Sequence, residues 1–573
     1  MKNILGINCY HADSSACILS NNKISAAAEE ERFVRIKHFA GFPKNSIEFC
    51  IKDSGLKNNQ IDLICVNTNS YSNLCNKIYY LINNFNFKLI KNKIKNKLVK
   101  NNNLYEELNK IFIGKIPKIL FLNHHQCHHY SSYFASNFQN AASISIDGFG
   151  DFVSTSLGYF NGNNFKQLKQ IYFPHSLGIL YSAITQYLGF YNYGDEYKVM
   201  GLAAYGKPTF IDKIKKLIIY DNNEFKLNLE YFNHEEPSFN FKWNNEYPIV
   251  NKLFKNNIDI IFKDVDSVDT KIKADIAASL QYVYEEILFN LCSYLKKITK
   301  CENIILSGGC AMNTLANGKI IKNTGFKNIF IQPAAADNGG AIGAAYFGNL
   351  IVNKRRAESM KNAYLGPQFT KTQILSEYDN FSKDIKMINF NEFNEKFYDY
   401  VSNLLIDKNI IGWFQDKMEW GPRALGNRSI LADPRDAIMK DIINKKIKLR
   451  EKFRPFAPIV LEERASDWFN DIKREPFMMK TYYAKKGKIS QIQAVVHEDN
   501  TSRVQTVNKD TNEKIYNLIN FFYKKTGVPM LINTSLNENE PIICNPKEAF
   551  DMLKRTKLDY LILSSCIFSR INK

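Results

Sequence analysis

SISIDGFGDFVSTSLGY, Ser143–Tyr159, reads as a strand, a tight glycine-containing turn and a second strand. The same design opens the chain. Asn3–Cys9 (NILGINC) is apolar, Tyr10–Ser15 is a polar turn and Ala16–Ser20 is apolar again; Asn21-Asn22 then turns into Lys23–Ala28. Two such hairpins in one chain predict an internally duplicated β-sheet unit rather than a single nucleotide fold. Further along, Ile272–Leu295 has helical periodicity, and Asn303–Leu306 (NIIL) reads as a buried strand running into Ser307-Gly308-Gly309. Asn328–Ile331 (NIFI) is another strand, followed by PAAADNGGAIGAA at Pro333–Ala345. The charged, irregular Asn353–Gly366 marks a boundary, so domains are expected at 1–352 and 365–573. The second is again α/β, with a strand at Ile410–Phe414 and others near Val460, Val495 and Met530–Ile532.

A length of 573 residues suits roughly two to four domains. With 45% hydrophobic, 13% aromatic and 23% charged residues, the composition excludes wholesale disorder, collagen and coiled coil. The net charge of +19 favours anionic partners without choosing among them. Eleven cysteines without any C-x-x-C pair argue against a zinc ribbon or a disulfide framework and suit a reduced, cytoplasmic protein. No signal peptide or membrane-spanning run is expected, and so no membrane insertion. The basic stretch Ser70–Lys115 contains KLIKNKIKNKLVK at Lys88–Lys100, which reads as a solvated amphipathic helix. No aromatics interrupt that lysine run to stack bases, so no nucleic-acid partner is expected.

Of nine histidines, four fall in six positions, His124-His125-Gln126-Cys127-His128-His129. On a helix, His124 with His128 and His125 with His129 each share a face, so two imidazoles can converge on one metal. Carboxylates must complete such a site. Asp147 and Asp337 are the candidates, since each follows an apolar strand and lies beside glycines. A His/His/Asp/Asp set suits Fe(II), Mn(II) or Zn(II). A P-loop is excluded, because its nearest approach, GLAAYGKP at Gly201–Pro208, ends in proline where the magnesium-binding hydroxyl belongs. The C-terminal half gathers cations among apolar and helix-breaking residues. Arg423 lies in EWGPRALGNRSI, and Lys448, Arg450 and Arg454 lie in NKKIKLREKFRPFAP. Arg503 lies in HEDNTSRVQTV, and Asn533, Ser535 and Asn537 lie in LINTSLNENEP. A buried guanidinium without a counter-charge is very unfavourable, so these residues imply a bound anion.

At these positions the sequence resembles the O-carbamoyltransferases of nodulation-factor, cephamycin and aminoglycoside (tobramycin-type) biosynthesis. The matching stretches run nearly end to end. They include INCYHADSSA, AAAEEERFVRIKHFAGFP, HHQCHHYSSYFAS, SIDGFGD, YGDEYKVMGLAAYGKP, LSGGCAMNTLANGKI, PAAADNGGAIGAA, EWGPRALGNRSI and LINTSLNENEPI. The resemblance implies an α/β chain of two domains. The first has the duplicated ATPase fold of actin, sugar kinases and heat-shock chaperones, similar to the tRNA threonylcarbamoyl-transferring protein. The second resembles the tRNA threonylcarbamoyladenylate-forming domain. It implies that carbamoyl phosphate and ATP give carbamoyladenylate, whose carbamoyl group then passes to a hydroxyl of a sugar or natural-product small molecule.

Residue by residue, the resemblance implies metal ligands at His124, His128, Asp147 and Asp337; the expected metal is divalent, Fe(II) first with Mn or Zn as alternatives, and Mg can accompany ATP. It places His11, as catalytic residue, and Glu196 beside the acceptor. Lys37, Gly308, Gly309, Asn313 and Asp337 fall around carbamoyladenylate. Arg423, Lys448, Arg454, Arg503, Asn533 and Ser535 hold ATP and carbamoyl phosphate. The Lys448-x-Arg450 and Ser535-x-Asn537 spacings match the signature of the tRNA adenylate-forming domain, and Lys448, Arg450 and Arg454 are its expected catalytic cations. Departures from the family pattern are His129, Cys310 and Asn338. The acceptor and the oligomeric state, a homo-oligomer included, stay open. The rival readings are a tRNA threonylcarbamoyl-type modification, a small-molecule kinase of the same first fold, and a non-catalytic ATP-binding chaperone.

Overall fold

The computed structural model describes residues 1–83, 103–221, 223–236, 239, 242–244, 246–262 and 269–571. The lysine run Lys88–Lys100, read as an amphipathic helix, lies outside them. The chain divides into a compact unit Met1–Met360 and a second, Lys361–Lys573.

The first unit contains the expected duplication. Strands β1 (Ile4–Asn8), β2 (Ser15–Ser20), β3 (Lys23–Glu29), β4 (Leu63–Val66) and β5 (Lys118–Phe121) form one sheet in the order β3-β2-β1-β4-β5. Strands β6 (Asn140–Gly150), β7 (Val153–Asn161), β8 (Asn164–Tyr172), β9 (Asn303–Ser307) and β10 (Asn328–Ile331) repeat it as β10-β9-β6-β7-β8. In each sheet three antiparallel strands are followed by two parallel ones. The inner parallel strands β4 and β9 are buried and read as nearly continuous apolar runs. The turn read from sequence at Tyr10–Ser15, which the structure places at Cys9–Ser14 after β1, and the glycine turn at the end of β6 occupy equivalent places in the two repeats.

The helix α1 (His124–Ala135) begins with Asn123 as its cap, the side chain accepting from Gln126 N. It packs on α2 (Gly339–Asn353), where a Cβ at Gly343 would lie 1.9 Å from the Cys127 carbonyl oxygen. Only glycine permits that approach. The long helix read from periodicity spans Thr270–Thr299 and is capped by Asp269.

The second unit is built on an eight-stranded mixed sheet. Its order is Ile385–Asn389, Cys566–Arg570, Tyr560–Leu563, Ile411–Phe414, Arg428–Ala432, Met530–Ser535, Ala457–Leu461 and Gln505–Val507. Trp413, Phe397, Ile430, Ile459, Leu531 and Phe550 are among its core residues. The strand expected near Val495 is instead a short 3-10 turn, Gln493–Val495. Ala494 N is taken by Pro434 O and Val495 N by Ile492 O, which leaves no ladder for a strand there. Among the described residues no helix is long and apolar enough to cross a membrane. All eleven cysteines are free thiols.

Candidate functional site

In the first unit the duplicated hairpins deliver the site. β6 carries Asp147 near its end, and the parallel β9 beside it runs into Gly308 and Gly309. Gly308 has φ +86°, and a Cβ there would lie 2.2 Å from Ile146 O, so glycine is needed. Helix α1 brings His124 and His128 to the same point, and Asp337 precedes α2. The two Nε2 atoms lie 3.0 Å apart, and His128 Nε2 is 2.9 Å from Asp147 Oδ2. Asp337 Oδ1 lies 3.3 Å from His124 Nε2 and 3.5 Å from His128 Nε2. Burial alone would push both imidazoles toward neutrality. The adjacent carboxylates of Asp147 and Asp337 outweigh it and raise both, and in return Asp147 is held well below the usual carboxylate range despite its burial.

The other face of α1 is pinned to the sheet. His125 makes hydrogen bonds through Nδ1 to Ser145 Oγ (2.9 Å) and through Nε2 to Val153 O (2.9 Å). His129 is held in the same way between the hydroxyls of Ser143 (2.5 Å) and Ser156 (2.7 Å). Both rings are buried with each nitrogen occupied, and burial pushes His125 down to about 3. Of the two i,i+4 pairs, only His124 and His128 face carboxylates. The quartet fits a divalent cation: two nitrogens face each other with room for one proton at most, and Asp337 Oδ1 is buried without a hydrogen bond. Its N and O donors suit Fe(II), Mn(II) or Zn(II).

Around this quartet stand the other residues expected in the first unit. The His11 ring lies 5.6 Å from that of His124. Glu196 opens the helix Glu196–Ala203, accepts from the Ser182 hydroxyl, and is raised by burial. Gly309 approaches Asp147, to which a Cβ would come within 3.1 Å of Oδ1. Lys37 is near enough to Glu31 to help hold that carboxyl in its charged form. Asn313 is turned inward: its amide pairs with Gln281, and its oxygen caps the helix Thr314–Thr324. Asn338, a departure from the family pattern, caps α2 and donates to Glu29.

Sequence reasoning missed three features here. Asp151, in the opening stretch, accepts from His124 N (2.8 Å) and Asn69 N (2.9 Å) and so fixes the start of α1. The Tyr193 hydroxyl is pushed well up by burial and then by Asp337, Asp13, Asp147 and Glu196, which locates it among the acids of the site. Its ring meets the edge of His38 at 5.2 Å, and His38 Nδ1 binds Asp13 Oδ1 at 2.7 Å. These contacts have no sequence spacing to announce them.

In the second unit, strand direction gathers the cations. The strand beginning at Ala457 runs antiparallel to the one ending at Ser535 and parallel to the one beginning at Gln505. The strand beginning at Arg428 is antiparallel to the one ending at Ser535. Arg454, Arg503, Ser535 and the loop carrying Arg423 therefore meet at one end of the sheet. Lys448 ends a π-turn, Asn444–Lys448, and is buried. Its Nζ donates to Ser535 O (2.6 Å), Asn537 O (2.8 Å) and Asn537 Oδ1 (2.7 Å), with Ser535 Oγ at 3.3 Å. Ser535 Oγ in turn donates to Asn537 Oδ1 at 2.7 Å. The two spaced pairs read from sequence thus form one clasp. Arg450 donates through Nε to Asn444 Oδ1 (2.7 Å) and stacks over Phe456 at 4.7 Å. Asn533 donates to Ala424 O and Gln505 Oε1. Burial, then the charges of Arg423, Arg450 and Arg454, depress Arg503 well below the ordinary guanidinium value. Four arginines in mutual repulsion make a site for an anion.

Residues 3–346 match the family model described as carbamoyltransferase N-terminus, and residues 402–570 match carbamoyltransferase C-terminus. The chain belongs to the carbamoyltransferase family. An uncharacterized protein of Synechocystis is 36% identical, covering 100% of this chain and 97% of its own. Nodulation protein NolNO of Sinorhizobium fredii is 33% identical over 98% of this chain and 80% of its own, and nodulation protein NolO of Bradyrhizobium diazoefficiens 35% over 77% and 78%. Among solved structures, HypF of T. kodakarensis overlaps with TM-score 0.33 and 16% identity, over 62% of this chain and 48% of that one.

Proposed function

We propose that this carbamoyltransferase is ATP-dependent, forms carbamoyladenylate, and carbamoylates a hydroxyl of a sugar or natural-product small molecule in the cytoplasm. The two chemistries divide between 365–573, which makes the adenylate, and 1–352, which transfers from it. The observation that supports this reading most is the Lys448–Ser535–Asn537 clasp beside Arg423, Arg450, Arg454 and Arg503. Carbamoyl phosphate first loses its phosphate to water, giving carbamate. A carbamate oxygen then attacks the α-phosphorus of ATP, the bond to the β-phosphate oxygen breaks, and pyrophosphate leaves. Two anions must meet in that step, and a fixed set of cations offsets their repulsion. Carbamate decomposes in water, so the packed surroundings of Phe456 serve to exclude it.

For transfer, the acceptor hydroxyl attacks the carbonyl carbon, AMP leaves, and the hydroxyl proton passes to His11. His124, His128, Asp147 and Asp337 would hold the divalent metal, which when bound supplies Lewis acidity toward a carbonyl or phosphate oxygen. Glu196 and Gly309 line the approach to that point. The test is pyrophosphate release from ATP, which is expected only when carbamoyl phosphate is added. Release without it, or none with it, refutes the reading. The nodulation-protein relatives make an oligosaccharide hydroxyl the first acceptor to try.

A further inference from the structure

No motif marks His497, which lies in the turn that leads into the strand Thr501–Arg503. Its backbone N donates to Thr501 O at 2.8 Å, and Asn500 N donates back to its carbonyl at 2.9 Å. Its ring Nδ1 lies 3.1 Å from Thr501 Oγ1. That hydroxyl has one proton, and it goes to Asp499 Oδ1 at 2.7 Å. Thr501 Oγ1 can therefore only accept from the imidazole, so Nδ1 carries the hydrogen and Nε2 is a bare lone pair. Nε2 is buried and has no hydrogen-bond partner. Burial, together with Arg503 and Lys440, overrides the opposing pull of Asp499 and pushes the ring down to about 4, so it is neutral at physiological pH. The turn thus holds a buried acceptor near enough to Arg503 for that charge to bear on the ring, while the arginines themselves offer only donors. Asn533 Oδ1 is a second buried acceptor without a partner in the same group of segments.

A phosphate held among arginines is driven to its fully ionised form and offers such acceptors no proton, whereas the −NH2 of a carbamoyl group keeps two at any pH. We propose that His497 is a specificity-determining residue of the second unit's anion site. Its Nε2 accepts a hydrogen bond from the carbamoyl amide and so separates carbamoyl phosphate from acetyl phosphate, which carries a methyl group in that place. This rests on the reading of carbamoyl phosphate as substrate. The alternative donor of the same chemistry is the adenine amino group of ATP.

The test is titration calorimetry of the full chain and of His497→Phe and His497→Gln, with carbamoyl phosphate, acetyl phosphate, inorganic phosphate, ATP and purine riboside triphosphate (which lacks the amino group). The intact protein should prefer carbamoyl over acetyl phosphate by roughly five- to tenfold, the worth of one neutral hydrogen bond. His497→Phe should erase that preference. His497→Gln, whose Oε1 can reach the place of Nε2, should recover most of it. Inorganic phosphate should bind all three proteins alike. Retained preference in His497→Phe overturns the inference alone, whereas failure of the intact protein to bind carbamoyl phosphate overturns the substrate reading beneath it. Loss of ATP affinity with no change for purine riboside triphosphate assigns the acceptor to adenine and overturns the proposal. So does loss of inorganic phosphate binding in both variants, which would mark a merely structural ring.

Discussion

The quartet His124, His128, Asp147 and Asp337 and the arginine group 423, 450, 454 and 503 are electrostatic opposites. In the first, two carboxylates converge on imidazoles and raise their affinity for a positive charge. In the second, burial and then three guanidinium groups disfavour the charge of a fourth. Each cluster is built at the end of a sheet, where strand direction brings distant segments together. Each is costly as it stands, because buried charge of one sign requires the other. The contrast is physical: the first cluster is suited to a cation, the second to anions. Breaking either should leave the other intact.

The strongest test removes Lys448, which ties Ser535 to Asn537. Lys448→Ala should lower carbamoyl-phosphate-dependent pyrophosphate release roughly 10²–10³-fold, as for loss of one preorganised charge donor. Bound metal, measured by elemental analysis, should be unchanged. Pyrophosphate release at the normal rate would reject the assignment. On the other side, His124→Ala and His128→Ala should each weaken metal binding by at least roughly 100-fold, since even outer partners of a ligand cost up to that. His125→Ala should keep its metal and lose only thermal stability, by about 1–3 kcal/mol, because it leaves Ser145 and Val153 O unpaired. Metal loss in His125→Ala with retention in His124→Ala would reverse the choice of face.

A milder break is Arg503→Met. It relieves repulsion among the arginines, so the empty protein should be no less stable. Its affinity for ATP should fall roughly ten- to a hundredfold, the worth of one charged hydrogen bond. Inorganic phosphate should raise the melting temperature of the intact protein, as any ligand of the folded state does, and should raise that of the variant much less. An equal rise in both would mean that Arg503 does not face the anion.

Much of this comparison was legible before the coordinates. Strand–turn–strand at Ser143–Tyr159 and at Asn3–Ala28 gave away the duplication, because hairpins are local and their apolar runs are contiguous. The i,i+4 histidines are equally local, although the choice between the two pairs was not. It depends on Ser143, Ser145, Val153 and Ser156, which lie on strands beyond the helix. The Lys448 and Ser535 spacings were visible, but their hydrogen-bonded union spans 87 residues and needs the antiparallel register of two strands. Val495 misled, since a short apolar run is compatible with strand or turn until its backbone partners are known. Asp13 and His38 both lie in stretches that match the family, but no spacing links them. Their pairing requires left-handed backbone at both, φ +58° and +54°, which no periodicity reports.

That pair supplies the smallest and most discriminating test, because it is an acid cluster in the first unit that needs no metal. Asp13, Glu31 and His38 lie close enough to hold an ion. They differ from the quartet in having an arginine, a permanent cation, among their partners. Asp13 is bound to His38 Nδ1 at 2.7 Å, and Glu31 is bound to Arg32 Nη1 at 2.7 Å and to His38 N at 2.9 Å. Burial pulls the His38 ring down, but Asp13 and then Glu31 outweigh it and hold it up at about 9. The ordinary imidazole value is about 6.5. A proton held more tightly in the folded state stabilises it fully below the unfolded value, and that stability is lost as pH rises through the folded one. Unfolding free energy should therefore fall between pH 6.5 and about 9. Since the side chain is 30% exposed, solvent screening keeps the loss to about 1–2 kcal/mol. Asp13→Asn should flatten the profile, and a chelator should leave it as it was while stripping the quartet. A profile that changes with chelation would mean that the Asp13 cluster also holds metal, and the distinction between self-neutralised and cation-seeking acids would fail.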